Sequence, residues 1–586
     1  MQTRFVSLVD ALQTHAVTHP NDRAYIALDD RGGEAATLTF GELDRRASAL
    51  ADFLLTRADP GDRALFVFPP GLDFLVAFFA CQYAGIIAVP TIFPRQNRLR
   101  DSSVKIVESC SPKLGLTTGR AVDSMRAVHA EVPGAAGMDW IGIDALDLPP
   151  PAFAAGCRPV PDPRTLGLLQ YTSGSTSAPK GVMVSHGNLC ANVEMISAAD
   201  DLGRGSTRVG WIPLYHDMGL IFIALQAAYV GALCVLMAPP SFVAQPLAWL
   251  RAIHKYRAEM TIAPNFAYDL CLENYSPERM EGIDLSCLRL ALNGAEPVRA
   301  ATIEQFAKTF AAHGLRPSAP HPTYGMAEAT LMISGGLHGG TPRLWSVSRE
   351  ALQRGAAITA APGERAQTLV GCGKTLEGEA IAIVEPETGR RLSPGEVGEI
   401  WVQGPLVAQG YWQMPEATKQ TFHGKILGED GSSWLRTGDL GCFDGEGELY
   451  ITGRIKDILI VRGSNYYPQD LELTAEKSHP ALRRGYAAAF TFLREDEREL
   501  LAIACEVKRD ALAGLDIDDV VGAVRMGVVR EHDLTVHRVI LTPPGTIPKT
   551  TSGKIRRQAT RERWQRGELA TLDGSASDRR KESSAV

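Results

Sequence analysis

The chain has 586 residues, of which 45% are hydrophobic and 22% charged, with a formal net charge of −7 at pH 7. That is too long for one core and ordinary for a globular protein, so two or more packed domains are expected. The acidic balance offers nucleic acid no basic surface. The ten cysteines, without a CxxC pair or a His–Cys cluster, argue for scattered thiols in a reducing compartment.

Phe5, Leu8, Val9, Leu12 and Ala16 recur at helical spacing, which predicts an amphipathic packing helix and no signal peptide. Residues 37–43 run into a helix ending near Leu55, and Arg63 to Phe68 reads as a strand. Phe74 to Pro94 carries no charged side chain and is long enough to imitate a membrane span. Gly85 interrupts it, and Ile86 to Pro90 then reads as a buried strand ending at proline, so a helix followed by a strand is predicted and no membrane span. A cytoplasmic protein is expected. Apolar strands and amphipathic helices alternate to about residue 335, the pattern of parallel sheets covered by helices.

The most informative stretch is Gln170-Tyr171-Thr172-Ser173-Gly174-Ser175-Thr176-Ser177-Ala178-Pro179-Lys180-Gly181, set between two apolar strand-like runs. Small residues let backbone N–H groups approach a polyphosphate, hydroxyls add donors and the lysine adds charge. The spacing is not that of a Walker A loop, and composition alone would favour a plain Ser/Thr-rich turn between two strands. Further along, Val209 to Gly219 forms a strand end and turn with His216 beside Trp211 and Tyr215, followed by an expected helix Leu220 to Val230 and a strand Ala232 to Met237. Leu288 to Pro297 runs from strand into a Gly294 turn, then a helix with Ile303, Phe306 and Phe310 on one face. Ligands in open α/β folds sit at such strand ends. Pro322 to Glu328 adds an aromatic able to stack on a base and a carboxylate able to hold Mg²⁺.

From about residue 365, short Gly-punctuated strands such as Glu379 to Glu385 and Gly398 to Gly404 indicate a β-rich subdomain. Trp434 to Asp439 places an Asp after a tight turn, suited to ribose hydroxyls. A domain boundary falls at Gly453-Arg454-Ile455-Lys456-Asp457. A small α+β domain follows, with a strand Ile458 to Val461, a helix through Glu476, a strand Leu500 to Val507, a helix Ile517 to Val529 and a strand Val536 to Thr542. It ends in Ile547-Pro548-Lys549-Thr550-Thr551-Ser552-Gly553-Lys554-Ile555-Arg556-Arg557, and the Ser-, Arg- and Glu-rich tail after it is expected to be disordered.

Taken in order, the phosphate loop, Tyr324-Gly325 with Glu328, Thr437-Gly438-Asp439, Gly453-Arg454 and the Lys554 loop resemble the adenylate-forming superfamily of acyl-CoA synthetases, luciferases and adenylation domains, over about residues 5 to 566. Trp211 to Leu220, Tyr324 to Thr330 and Arg462 to Asp470 look most like its fatty acyl-AMP ligases, although Ser464 and Tyr466 depart from that branch's commoner wording. A long segment, about 338–370, resembles the insertion of that branch, which is thought to restrict C-terminal domain rotation and disfavour CoA.

The resemblance implies an α/β fold: a large N-terminal domain of two helix-covered sheets plus a β-rich subdomain (1–453), a small mobile C-terminal α+β domain (454–566) and a tail (567–586). It implies ATP and Mg²⁺. Thr172, Ser173, Gly174, Ser175, Thr176 and Lys180 would hold the β- and γ-phosphates, and Glu328, with Thr172, the metal. Gly294, Ala295, Glu296, Tyr324, Gly325 and Met326 would frame the adenine, with Asp439 and Arg454 on the ribose. Lys554 would act at the α-phosphate, His216 would serve the catalytic site and Lys456 would be the hinge. The chain shows no phosphopantetheine site, so an acyl carrier protein in trans would complete the reaction with a fatty acid. The rivals are an acyl-CoA synthetase and a catalytically silent acyl- or nucleotide-binding paralogue.

Overall fold

The computed structural model describes residues 3–94, 99–172, 179–335, 340–429, 431, 433–461, 464–493, 499–550 and 553–572. The predicted tail falls largely outside them. By internal contacts the chain divides into two compact units: residues 1–345, 368–437 and 441–451 in one, and residues 346–367, 438–440 and 452–586 in the other.

Besides a four-stranded sheet lying mostly in this unit, in the order Ala380–Val384, Gly398–Gln403, Leu435–Phe443 and Leu449–Arg454, two larger sheets build the first unit. The larger has nine strands, in the spatial order Lys374–Thr375, Met332–Gly335, Pro320–Gly325, Leu290–Asn293, Met260–Ala263, Thr207–Gly210, Leu233–Leu236, Arg23–Leu28 and Glu34–Thr39. Its middle is parallel and its edges antiparallel. The smaller runs Asp139–Gly142, Leu114–Thr117, Arg63–Phe66, Ile87–Pro90, Leu166–Thr172 and Lys180–Ser185, and only its last pair is antiparallel. Parallel strands are buried on both faces and therefore read as near-continuous apolar runs, which is why the sequence signalled them clearly.

The helix expected at the N-terminus spans Leu8–Thr18 and buries Leu8, Val9, Leu12 and Ala16. The uncharged stretch resolves as predicted. A helix Asp73–Ala84 stops at Gly85, whose φ of 67° suits a residue without Cβ, and the strand Ile87–Pro90 follows. Among the described residues no helix is long and apolar enough to cross a membrane. One expected helix differs. Met218–Leu225 is a π-helix and only Gln226–Val230 is α-helical. The wider turn begins where Gly219 meets the Pro213 and Ile212 carbonyls so closely that a Cβ would lie 2.3 Å from Pro213 O.

The helix His186–Asp200 fixes the loops around the strand ends. Its capping box joins Ser185 and Asn188. Asn188 Nδ2 also donates to the carbonyls of Pro405 (2.8 Å) and Val407 (2.9 Å). One turn on, Asn192 is fully buried; its Nδ2 donates to Met332 O at 2.7 Å and its Oδ1 accepts from Met332 N at 3.1 Å. Two amide side chains thus satisfy backbone groups of a distant loop and of a distant strand end, which would otherwise be buried without partners.

The second unit has a three-stranded sheet, Leu482–Leu493, Glu499–Val507 and Arg538–Thr542. Helices Pro468–Ser478 and Ile517–His532 pack on one face, through Leu471, Ala475, Val520, Val524 and Val528. On the other face Ile547, Ile555, Trp564 and Leu569 cover Ala488, Phe490, Ala502, Ala504 and Ile540. The twelve-residue strand from Leu482 was not predicted, because Arg483-Arg484-Gly485 breaks its alternation; the helix Arg557–Gln565 was missed for its lack of apolar residues.

Replacing Asn192 with Leu should lower unfolding stability by roughly 3 kcal/mol, since it strands two buried backbone groups of Met332 at about 1–3 kcal/mol each. Urea denaturation checks this, as a fall in midpoint at unchanged slope.

Candidate active site

Strand pairing sets Thr172 directly opposite Lys180 and Tyr171 opposite Gly181. Gly181 is required there, because a Cβ would stand 2.8 Å from the Tyr171 ring. Ser173, Gly174, Ser175 and Thr176, between the two strands, lie outside the described residues. The strand Lys180–Ser185 gains a second partner, the segment 409–412. Met183 N donates to Gly410 O (2.9 Å), Gln409 N to Met183 O (2.9 Å) and Trp412 N to Gly181 O (2.7 Å). This seats Tyr411 over the hairpin, with Lys180 Nζ 4.5 Å from its ring centre.

The Tyr411 hydroxyl then donates to Glu328 Oε1 at 2.7 Å. Tyr411 and Glu328 are both buried, and Ala408 N holds the Glu328 carbonyl at 3.0 Å. Lys180, Tyr411 and Glu328 therefore form one line from the phosphate hairpin to the carboxylate. Sequence reasoning missed Tyr411. Its signal was the short run Gly410-Tyr411-Trp412, an aromatic pair behind a glycine, whose meaning comes only from strand pairing across some 230 residues of chain.

Glu328 sits in the short helical turn Ala327–Ala329 after the strand Pro320–Gly325. A Cβ at Gly325 would fall 1.8 Å from the Leu331 carbonyl, so no side chain fits. The turn closes through Thr330, at φ 64°, whose hydroxyl donates to Leu406 O at 2.6 Å. The neighbouring strand delivers Gly294 against Thr323, where a Cβ would lie 2.6 Å from its Oγ1. Ala295 takes a left-handed φ of 66°, and Glu296 Oε1 accepts from Phe266 N at 2.6 Å. Gly294, Ala295, Tyr324 and Gly325 are thereby brought together, with extended Met326 leading on to Glu328. His216 stands in the turn after the strand Thr207–Gly210, its Nδ1 2.6 Å from Asp217 Oδ1. Gln170 Nε2 donates to Tyr215 O at 3.1 Å, joining that turn to the phosphate strand. Trp211, at the strand end, stacks on Phe242 with centroids 3.9 Å apart and meets Phe266 edge-on.

In the second unit Arg454 Nε donates to buried Asp439 at 2.5 Å. The Lys554 loop is closed by Thr550 N to Lys554 O (2.8 Å), Lys554 N to Thr550 Oγ1 (3.0 Å) and Arg556 N to Pro548 O (2.9 Å), with Gly553 at φ 88°. Next to it, Arg557 grips Glu472 with two nitrogens (2.6 and 2.8 Å) and Asp457 with the third (2.8 Å). Lys456 lies in the adjoining turn Ile455–Asp457, so one guanidinium ties the Lys554 loop to the expected hinge.

The same unit contains residues 346–367, most of the long segment between Glu328 and Gly371. Arg349 Nη1 donates to the Glu531 carbonyl at the end of the helix Ile517–His532, where a cation also meets the negative end of the helix dipole. Gln367 Nε2 donates to Asp470 at 2.8 Å. A cleft of about 250 Å³ lies between them, lined by Arg349, Gln367, Asn465, Tyr467, Asp470 and His532. Burial, with Arg349 beside it, pulls the His532 imidazole down to about 4, and Thr474 Oγ1 lies 2.7 Å from its Nε2.

Residues 12–412 match the family model of AMP-binding enzymes, and residues 456–573 that of the AMP domain of Disco-interacting protein 2-like proteins. The medium-chain-fatty-acid–[acyl-carrier-protein] ligase JamA of Moorena producens is 40% identical over 572 residues, 96% of each chain. A putative fatty-acid–CoA ligase, fadD25, of Mycobacterium tuberculosis is 38% identical, over 97% of this chain and 99% of that one. The crystal structure of a Legionella pneumophila fatty acyl-adenylate ligase in complex with acyl adenylate and pyrophosphate superposes with TM-score 0.73 at 36% identity, covering 97% of both chains. The chain belongs to the AMP-binding, adenylate-forming enzymes, and within them to the fatty acyl-AMP ligases.

Replacing Tyr411 with Phe keeps the ring beside Lys180 and removes only the donor to Glu328. A hydrogen bond to a charged group contributes about 1.5–3 kcal/mol. The expected result is a fall of about 10- to 100-fold in kcat/KM for Mg-ATP in pyrophosphate exchange, with the fold intact by circular dichroism.

Proposed function

We propose that the chain joins a fatty acid to AMP, releasing pyrophosphate, and then transfers the acyl group to the phosphopantetheine thiol of a carrier protein. The observation that carries this is the line Lys180–Tyr411–Glu328 beside the phosphate hairpin, with the Gly294-Ala295 and Tyr324-Gly325 turns next to it. A cation, small-residue turns and a fixed carboxylate are what an ATP polyphosphate and its metal need.

In the first step a carboxylate oxygen of the fatty acid attacks the α-phosphorus, and the bond to the pyrophosphate oxygen breaks. Such phosphoryl transfer asks the protein mainly to position groups and to neutralise charge. Lys180 supplies positive charge to the outer phosphates, together with the loop 173–176. Gly294, Ala295, Glu296, Tyr324 and Met326 frame the base, and Asp439, held by Arg454, receives the ribose hydroxyls. Glu328, oriented by Tyr411, and the Thr172 hydroxyl suit a hard cation. Among the described residues no group of three or more His, Cys, Asp or Glu side chains forms a cage, and Mg²⁺ typically takes one or two protein oxygens alongside phosphates and water. Bound there, Mg²⁺ would offset charge on the β- and γ-phosphates. Lys554 acts at the α-phosphate and the attacking carboxylate, and His216, with Asp217 behind it, borders the acyl group.

In the second step the carrier thiolate attacks the acyl carbonyl. A carbon–sulfur bond forms, the carbon–oxygen bond to AMP breaks, and the thiol proton passes to solvent. Lys456 is the hinge on which the C-terminal domain, residues 454–566, changes position between the steps. The segment 338–370 limits that motion and disfavours CoA; its bonds from Arg349 and Gln367 to C-terminal residues support this.

Removing one preorganised donor to developing charge typically costs about 10²–10³ in rate. Lys554→Ala should therefore slow ATP–pyrophosphate exchange by about that factor while fatty acid binding, read by calorimetry, is kept. Exchange at the unaltered rate would remove Lys554 from the mechanism.

A further inference from the structure

Between the strands Leu482–Leu493 and Glu499–Val507, Leu482 pairs with Val507 and Ala487 with Cys505. The four residues Arg483 to Tyr486 therefore stand opposite one, Glu506. A bulge of this kind interrupts the ladder and re-aims side chains, and Gly485 turns the chain at φ 71°. Glu506 is fully buried, and both its oxygens are bonded. Oε2 accepts from Arg483 Nη1 at 2.8 Å and Oε1 from Ile547 N at 2.9 Å. Arg483 Cζ and Lys549 Nζ each lie 3.4 Å from the centre of the Tyr486 ring, within reach of its π system. Ile547 and Lys549 are the root of the Lys554 loop. Lys549 bridges to Ile555 across the loop, and Arg556 N donates to Pro548 O at 2.9 Å. The returning arm is gripped by Glu472 and Asp457 through Arg557. The outgoing arm is gripped by Glu506 and Tyr486.

We propose, on the reading that Lys554 acts in the first step, that Tyr486 and Glu506 are positioning residues for Lys554. Packing alone does not explain them. A regular ladder with an apolar side chain at 506 would cover the sheet as well, since replacing a buried ion pair by apolar residues of similar volume is often neutral or stabilising. Such a replacement would lose the hold on Ile547 N and, through Arg483, on the ring beside Lys549. The loop leaves the sheet at Ile547 and rejoins it at Ile555, both packed on the face of Ala488, Ala502 and Ala504. Between them Thr550, next to Lys549, bonds the backbone of Lys554. A shift of the outgoing arm therefore passes directly to Lys554. Misplacing a reacting group by about 1 Å can lower a rate by about 10²-fold, so a loosened arm registers in the first step. The thiol attack of the second step makes no use of Lys554 and serves as the internal control.

The test compares the full-length wild type with Tyr486→Leu, Tyr486→Phe and Glu506→Gln in two assays. ATP–pyrophosphate exchange reads the first step, and acyl transfer from the synthetic acyl-adenylate of the preferred fatty acid to pantetheine reads the second. Leucine removes the ring that meets both cations and phenylalanine keeps it. Glutamine keeps an acceptor for Ile547 N and removes the charge that holds Arg483. Tyr486→Leu should lower kcat of exchange about tenfold with KM for Mg-ATP within about twofold of wild type. Glu506→Gln should do the same to a smaller degree, and Tyr486→Phe should match wild type. Transfer from acyl-adenylate should stay within about twofold in all three, and Tyr486→Leu should change the residual exchange of Lys554→Ala by less than about twofold, because effects exerted through one side chain do not add once it is gone. Wild-type exchange in both Tyr486→Leu and Glu506→Gln would overturn the proposal. So would equal losses in exchange and transfer, or an undiminished further loss in the Lys554→Ala background, since the two residues would then act on the fold and not on Lys554. If Lys554→Ala alone exchanges at the unaltered rate, the underlying reading fails and takes the proposal with it, a result that needs no variant at Tyr486 or Glu506.

Discussion

The hydrogen bond from Tyr411 to Glu328 is the contact on which the arrangement of the site turns. A buried carboxylate is costly unless it is bonded or paired. This one is held from three directions, by Tyr411 at its side chain, Ala408 at its carbonyl, and the closed turn through Thr330 and Leu406. Leu406, Ala408 and Tyr411 belong to the segment 405–412, which is itself fixed by Asn188 and by pairing with the strand that begins at Lys180. Lys180 and Glu328 are thus two ends of one backbone assembly. Neither can shift without disturbing the other.

Glycines set the rest of the precision. At Gly325 and Gly294 a side chain would collide with Leu331 and Thr323. The main chain therefore comes closer at these two strand ends than any other residue would allow, at the position where open α/β sheets accept ligands. Trp211 and Phe242 stack at the end of the strand Thr207–Gly210 of the same sheet, with ring centroids 3.9 Å apart.

Much of this was legible in the sequence for a physical reason. Parallel strands and their covering helices are apolar with a definite period, so the elements from Leu8 to Gly335 announced themselves, as did the strand-end motifs with their glycines. What was not legible depends on contacts distant in sequence. Tyr411 acquires meaning only by pairing beside Gly181 and Met183. The π-helix at Met218 begins beside a close backbone approach at Gly219, which no periodicity encodes. In the second unit the strand from Leu482 hides behind two arginines and a glycine. The long segment after Glu328 looked like an insertion, but its bonds from Arg349 to Glu531 and from Gln367 to Asp470 could not be read from composition.

JamA and fadD25 are both named for ligation of a fatty acid and differ in the acceptor their names carry, so the acceptor is the sharpest point of the account. The decisive measurement offers purified protein, Mg-ATP and a ladder of fatty acids with equal CoA and phosphopantetheinylated carrier protein in one vessel, and reads the products by mass spectrometry. The account predicts acyl-AMP and acyl-carrier with at most traces of acyl-CoA. Acyl-CoA as the main product would contradict it.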